Sequence, residues 1–189
     1  MTDLISFQQF SDLNTVGVLL LLATNIILVI GYFASDKIKK LVLINISYKK
    51  WIALMTAILA VGIVGANMYE YVYNDPPCMF CWYQRVTIYG MFIVCLVELA
   101  RDTRVAHVFI NVFAVITALV ATYHYSFHFR KYVLDESALT MPCSGNPLVA
   151  SCESAKVVSF GFATMPMMSI ILAVAVVSIT LVLFKKQDK

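Results

Sequence analysis

Residues 51–100 read WIALMTAILAVGIVGANMYEYVYNDPPCMFCWYQRVTIYGMFIVCLVELA. Two apolar stretches, 51–73 and 86–100, flank a short polar gap built on Asp75-Pro76-Pro77-Cys78. A helix that crosses a hydrocarbon core needs roughly 20 apolar residues. The first stretch has that length. The second reaches it with Trp82 and Tyr83 as an interfacial collar, where amphipathic rings settle. The prolines end the first helix and fix the turn, because proline cannot donate the helical hydrogen bond. The reading is a membrane hairpin with cysteines in its turn.

Working outward, residues 14–34, 105–127 and 166–184 are three further spans, the first interrupted only by small polar residues such as Thr24 and Asn25. With 61% apolar and 13% charged residues, little chain remains for a separate soluble domain. The predicted fold is therefore all-α: an integral membrane helical bundle of five spans. The net charge of +3 does not indicate nucleic acid, because the basic residues bracket apolar segments and are not clustered with aromatics on a soluble face. No removable signal peptide is expected, since the first fourteen residues contain no Lys or Arg.

Charge sets the orientation. Lys37, Lys39, Lys40, Lys49 and Lys50 follow the first span, Arg101 and Arg104 the third, and Lys185, Lys186 and Lys189 the fifth. The opposite side holds only Arg85, Arg130, Lys131 and Lys156. Lys and Arg accumulate on cytoplasmic loops, so the N-terminus is predicted outside and the C-terminus in the cytoplasm. Both polar gaps that carry cysteine pairs then lie outside. On that side Tyr69, Tyr71, Tyr73, Trp82 and Tyr83 form one aromatic group, and residues 123–132 another. Asn45-Ile46-Ser47 falls on the cytoplasmic side and is discarded as a glycosylation site.

Cys78-Met79-Phe80-Cys81 has the two-residue spacing of exchangeable redox disulfides. Cys81 sits near the start of the third span, where the helix dipole favours a thiolate. Arg85 lies one turn further along the same face and can approach that sulfur. A cation at this depth needs a partner, and a thiolate or a bound carbonyl oxygen would serve. A structural bridge closing so short a loop would stabilise little, which favours redox chemistry. Zinc is disfavoured by the wider second pair and by the oxidising location.

That second pair, Cys143 and Cys152, lies in a loop rich in Gly, Pro, Ser and Asn. A bridge is the default for two cysteines in an oxidising space, and alone it is as readily structural as functional. A CxxC on the same side favours exchange, which requires a partner sulfur that can approach. Cys95, in mid-span, is assigned to packing. His124 and His128 are one turn apart and read as interfacial histidines without a third metal ligand, His124 having a secondary role in contacting a substrate near Arg85. Glu70 reads as a snorkelling residue or a proton acceptor near the CxxC. Glu98 reads as a solvated partner of Arg101, and His107 has no chemical role. Residues 157–165, with Gly161 just before Pro166, read as a segment lying in the interface.

Cys78-Met79-Phe80-Cys81-Trp82-Tyr83-Gln84-Arg85, the hairpin after it, the loop cysteine pair, and Gly161-Phe162-Ala163-Thr164-Met165-Pro166 opening the last span resemble the disulfide bond formation protein B (DsbB) family, including its BdbC branch. The resemblance covers residues 51–184. It implies a four-helix core, with residues 1–48 an additional N-terminal transmembrane helix and connector, as in DsbI-like members, and 49–189 the redox domain. It implies that Cys143 exchanges with a DsbA-like thioredoxin-fold oxidase, that the Cys143–Cys152 pair passes electrons to Cys78–Cys81, and that Cys81 hands them to a quinone, ubiquinone or menaquinone, held near Arg85. The expected location is the bacterial cytoplasmic membrane. A DsbA-like partner lies at about −120 mV, so its reoxidation needs an acceptor of still higher potential, which a lipid quinone supplies. The loop cysteines are closer together than in the enterobacterial type.

Two other readings compete. A vitamin K epoxide reductase-like enzyme shares the cysteine logic but places its CxxC at the outer end of a late helix. A non-enzymatic membrane protein would hold both bridges as structure. The N-terminal span has no evident chemistry in the sequence.

Overall fold

The computed structural model describes residues 6–35, 47–101, 106–135, 152, 155 and 157–187. Five helices result: α1 Phe7–Ala34, α2 Tyr48–Tyr71, α3 Met79–Arg101, α4 Ala106–Tyr132 and α5 Met165–Gln187. Each expected span is a helix, and the differences lie at the ends. α1 begins at Phe7 because Ser6 and Gln9 form a capping box: Ser6 Oγ accepts the Gln9 N–H at 3.2 Å, and Gln9 Oε1 accepts the Ser6 N–H at 3.0 Å. α3 begins directly after the prolines. α4 continues to Tyr132, since nothing between 127 and 132 breaks it, so His128 is helical and not part of a loop. α5 places Pro166 in its first turn, where a missing N–H costs nothing.

α1 to α4 are long and apolar enough to cross a membrane, and the apolar part of α5 runs Met165–Leu181. The chain is a membrane helical bundle. Its core lies among α2, α3, α4 and α5, around Met55, Leu59, Met91, Cys95, Ile110 and Val176. Cys95 packs there as expected. α1 stands outside this core, against α5, and exposes Leu20, Ile27 and Phe33. Large apolar side chains turned outward on every helix suit a hydrocarbon solvent, which removes the usual penalty for exposing them.

Several polar groups inside the bundle are paired, which offsets the cost of burying them. Thr87 and Thr117 join α3 to α4 through a 2.6 Å hydroxyl contact. Glu98 is buried, and accepts the Tyr48 hydroxyl at 3.1 Å. It is not the solvated residue expected, because α2 packs over it.

One end of the bundle gathers the starts of α1, α3 and α5 and the ends of α2 and α4. There Phe7 and Phe10 stack on Tyr69 and Tyr73 with ring centroids 5.1–5.8 Å apart. Ser11 Oγ meets Ser159 Oγ at 2.6 Å. The segment before α5 is a tight turn. Ser159 and Ala163 exchange two backbone hydrogen bonds of 2.9 Å, and Phe160 and Gly161 both take positive φ. Gly161 fits this left-handed position because it has no Cβ.

Candidate active site

Asn74, at φ +52°, reverses the chain after α2, and the Asp75 N–H returns to the Tyr69 carbonyl at 2.9 Å. Pro76 and Pro77 then deliver Cys78 to the mouth of α3. The Cys78 carbonyl accepts the Trp82 N–H at 3.0 Å, and its sulfur accepts the Cys81 N–H at 3.3 Å. Cys78 thus does for α3 what an N-cap residue does, with sulfur in place of oxygen. The Cys78 and Cys81 sulfurs are 2.9 Å apart, so a small movement closes a bond whose length is about 2.05 Å.

The sequence pointed to Cys81 as the residue favoured by the helix terminus. The geometry adds Cys78 as the sulfur that receives the terminal amide. Its thiol is held down at about 5 by the hydrogen bond shared with the Cys81 thiol, against the opposing effect of burial, with His124 assisting. A folded-state value of about 5 against 9.0 stabilises the reduced protein. That gain is complete above pH 9, shrinks as pH falls, and is gone below about 5. Between those limits the reduced pair keeps one proton. Its midpoint potential should therefore fall by about 30 mV per pH unit, instead of about 59 mV for two protons. Redox titration of the Cys78–Cys81 pair near neutral pH measures this slope, and the steeper value would mean that Cys78 is an ordinary thiol.

Cys152 is disulfide-bonded, and Cys143 lies outside the described residues. Cys152 packs with Cys78 in one buried cluster that includes Phe80, Cys81 and Phe127. Two histidines hold it there. The Cys152 carbonyl is 3.3 Å from His124 Nε2 and 2.9 Å from His128 Nε2. Both rings are buried, so they are not the interfacial histidines expected. The Gln84 amide donates to His124 Nδ1 at 3.3 Å. This puts the His124 proton on Nε2, facing the Cys152 carbonyl and, at 3.9 Å, the Cys78 sulfur. Phe80 covers the same ring, with centroids 5.5 Å apart.

Arg85 is buried, and its ion-pair partner is the carboxylate of Glu70 on α2. A second guanidinium N–H donates to the Ala66 carbonyl at 2.8 Å, and Trp82 lies 5.7 Å from the charge. Glu70 is thus a counter-ion and not a snorkelling residue. Cys78, Cys81, Arg85 and His124 all line one cleft of about 510 Å³ between α1, α2 and α5, whose remaining walls are mostly aliphatic.

The structure therefore brings Cys78, Cys81, Cys152, Arg85 and His124 together. The sequence reading missed Gln84, the Glu70 pairing and the burial of His128. Each is a contact between helices, and no spacing along one helix signals it. A metal is also chemically possible here: Cys78, Cys81 and His124 offer three ligand atoms within 4.8 Å of one another. The sequence reading had set aside zinc on the two cysteine pairs and on the His124/His128 spacing, and did not combine the CxxC with His124.

A family model described as disulfide bond formation protein DsbB matches residues 48–183. Among curated relatives, the probable disulfide formation protein of Chlamydia caviae is 28% identical over 146 residues, which is 77% of this chain and 95% of that protein. The probable disulfide formation protein C of Halalkalibacterium halodurans is 27% identical over 126 residues, 66% of this chain and 82% of its own length. The SPbeta prophage-derived disulfide bond formation protein B of Bacillus subtilis is 26% identical over 128 residues, 68% and 81% of the two chains. No solved structure matches. The matched span runs from the start of α2 into α5 and so contains the whole thiol and histidine cluster. By that match this membrane protein of disulfide formation belongs to the DsbB family.

Proposed function

We propose that the protein is a thiol:quinone oxidoreductase of the bacterial cytoplasmic membrane, which reoxidises a DsbA-like thioredoxin-fold dithiol and passes the electrons to a lipid quinone. The observation that carries this reading is the shared cleft. Cys81 and Arg85 line an apolar cavity, and Cys152 packs on the far partner of the same thiol pair. The cavity's size is within the roughly 300–1,000 Å³ of ligand pockets, and its polar groups gather at one end, as a quinone ring with an apolar tail requires. A quinone bound there would supply an acceptor for two electrons and two protons.

The chain's own residues then act in order. The partner's thiolate attacks the Cys143–Cys152 bridge at Cys143, and the partner leaves as a disulfide with Cys143 and Cys152 reduced. Cys152 attacks Cys78, the sulfur it packs against, and Cys81 leaves as thiol or thiolate. Cys143 then displaces Cys78 from Cys152, so that Cys78 and Cys81 are both reduced. His124 and His128 hold the Cys152 backbone for these exchanges, and the His124 Nε2–H stabilises charge on Cys78. Closing Cys78 onto Cys81 releases two electrons toward the cleft. Arg85, aligned by Glu70 and the Ala66 carbonyl, supplies positive charge where the acceptor gains it. We place both cysteine pairs and the N-terminus outside the cytoplasm, on the distribution of Lys and Arg.

Purified protein in lipid, given ubiquinone and a reduced thioredoxin-fold dithiol, should consume one quinone per dithiol oxidised, followed by quinone absorbance. Dithiol oxidation with no quinone consumed would remove the acceptor from this scheme.

A further inference from the structure

Three atoms that bind soft metals converge at the mouth of α3. The Cys78 sulfur lies 2.9 Å from the Cys81 sulfur and 3.9 Å from His124 Nε2, and the three ligand atoms lie within 4.8 Å of one another. They come from two elements: the cysteines from the start of α3, the imidazole from the thiol end of α4. Zinc bonds of about 2.3 Å to sulfur and about 2.0–2.1 Å to nitrogen, at tetrahedral angles, set a sulfur and a nitrogen roughly 3.5 Å apart and two sulfurs roughly 3.8 Å apart. The distance from Cys78 to the imidazole is already near that value. The two sulfurs need to part by roughly 0.9 Å. Cys81 borders the cleft of about 510 Å³, so its side chain can turn toward that space, which also leaves the fourth position of the metal open.

The surroundings suit a ligating histidine. Such a ring binds metal through one nitrogen and donates the proton on the other to a neighbour, which fixes its orientation. The Gln84 amide lies 3.3 Å from His124 Nδ1. Turned over, that amide presents its oxygen and accepts an Nδ1–H, which leaves the Nε2 lone pair facing the sulfurs. The Cys152 carbonyl keeps its 2.9 Å contact with His128 Nε2, so Cys152 stays held while His124 changes partner. Charge balances as well. Arg85 is neutralised by Glu70 and does not oppose a cation beside the thiols. Two thiolates and a divalent cation form a neutral unit, which an apolar cleft accepts far more readily than two bare thiolates.

We propose that Cys78, Cys81 and His124 form a zinc site that exists only while the thiol pair is reduced, and that zinc bound there prevents the pair from closing. Two thiolates with one imidazole are a donor set for zinc among the divalent cations, whereas magnesium and calcium take oxygen. Binding displaces to water the protons that remain on the two thiols, and no electron moves. Both sulfurs are then held as ligands, so neither can attack the other until the metal leaves. The oxidised pair has no thiolate to offer and binds none. The sequence reading set zinc aside because an oxidising location leaves no thiols. That argument covers the bridged protein, and exchange at this pair passes through the reduced one.

The test uses the full chain in detergent without oxygen, as wild type and with Cys143→Ala and Cys152→Ala together, which removes the loop thiols. Given one equivalent of Zn²⁺ and then desalted, both reduced proteins should retain the metal and the oxidised wild type should not, by elemental analysis. X-ray absorption of the zinc held by the loop variant should show two sulfurs at about 2.3 Å and a nitrogen at about 2.0–2.1 Å. In that background His124→Ala should weaken zinc binding more than about tenfold, and Gln84→Ala by about tenfold, the usual effect of losing a group that orients a ligand. The absorption spectrum reports the ligands of the folded, loaded protein, so the site stays testable if His124→Ala fails to fold. In wild type, zinc should slow closure of the Cys78–Cys81 bridge by diamide at least about tenfold, followed by mass, and EDTA should restore the rate, because only a free thiolate attacks. Equal retention by the oxidised protein, zinc lost with the loop thiols, a metal shell lacking either sulfur or nitrogen, or closure at the same rate with zinc bound would overturn the site. None of these measurements uses a quinone, so their failure is distinct from failure of the activity proposed above.

Discussion

Cys81→Ser should reduce quinone turnover to background, a loss of at least about 1,000-fold, because the residue is part of a unit in which no other group can substitute. Cys78 and Cys81 face each other at 2.9 Å, and Cys78 is buried with Cys152 at the centre of the cluster that Cys81 borders. The variant therefore keeps the sulfur that receives electrons and lacks the one from which they leave. In it the Cys78 thiolate should exchange with the intact Cys143–Cys152 bridge, forming a Cys78–Cys152 bridge with Cys143 leaving as a thiol; before any reduced partner is added, this should be visible as a cross-linked peptide by mass. The His124 and His128 contacts to the Cys152 carbonyl hold the two sulfurs within reach, so the trapped species should form without large movement of the loop. Full turnover in Cys81→Ser, or a bridge from Cys152 to any residue other than Cys78 and Cys143, would contradict the assigned order.

The second large effect concerns Arg85 and Glu70. Removing one partner of a buried ion pair leaves an uncompensated charge, which costs about 3–5 kcal/mol. Glu70→Gln and Arg85→Met should each lower the thermal unfolding midpoint of the detergent-solubilised protein strongly. The double variant should recover most of the stability, because neither charge is then left alone inside the bundle. It should not recover turnover, since the cation facing the acceptor is absent. Stability and activity would thereby separate. Two single variants that add independently, with no recovery in the double, would show that the pair is not coupled. An Arg85 single variant therefore mixes any loss of the proposed acceptor contact with an unpaired carboxylate left on α2.

The hairpin at 51–100 was legible because its signals are local. Apolar length gives the spans, two prolines give the break, and the cysteine spacing gives the chemistry. The thiol end of the bundle was legible in part. Cys78, Cys81 and Arg85 lie within three turns of one helix terminus, so their proximity follows from helical geometry. The rest was not. Gln84 and His124 are separated by 40 residues, Arg85 and Glu70 by 15, and Ser11 and Ser159 by 148. Helix ends were also missed where a cap decides them, as at Ser6, because a capping box that precedes an apolar run lies outside the hydropathy signal.

The sequence alone thus determined a multi-pass helical bundle carrying a redox-spaced cysteine pair and a second pair in a loop, because hydropathy, proline and the CxxC act over a few residues each. The tertiary structure alone decided that Glu70 neutralises Arg85, that two histidines hold Cys152 beside Cys78, and that α1 borders the cleft. Helices bathed in lipid are apolar on every side, so their sequence does not mark which face turns inward. Rotation of each helix about its own axis is fixed only by its neighbours, and that rotation assembles the site.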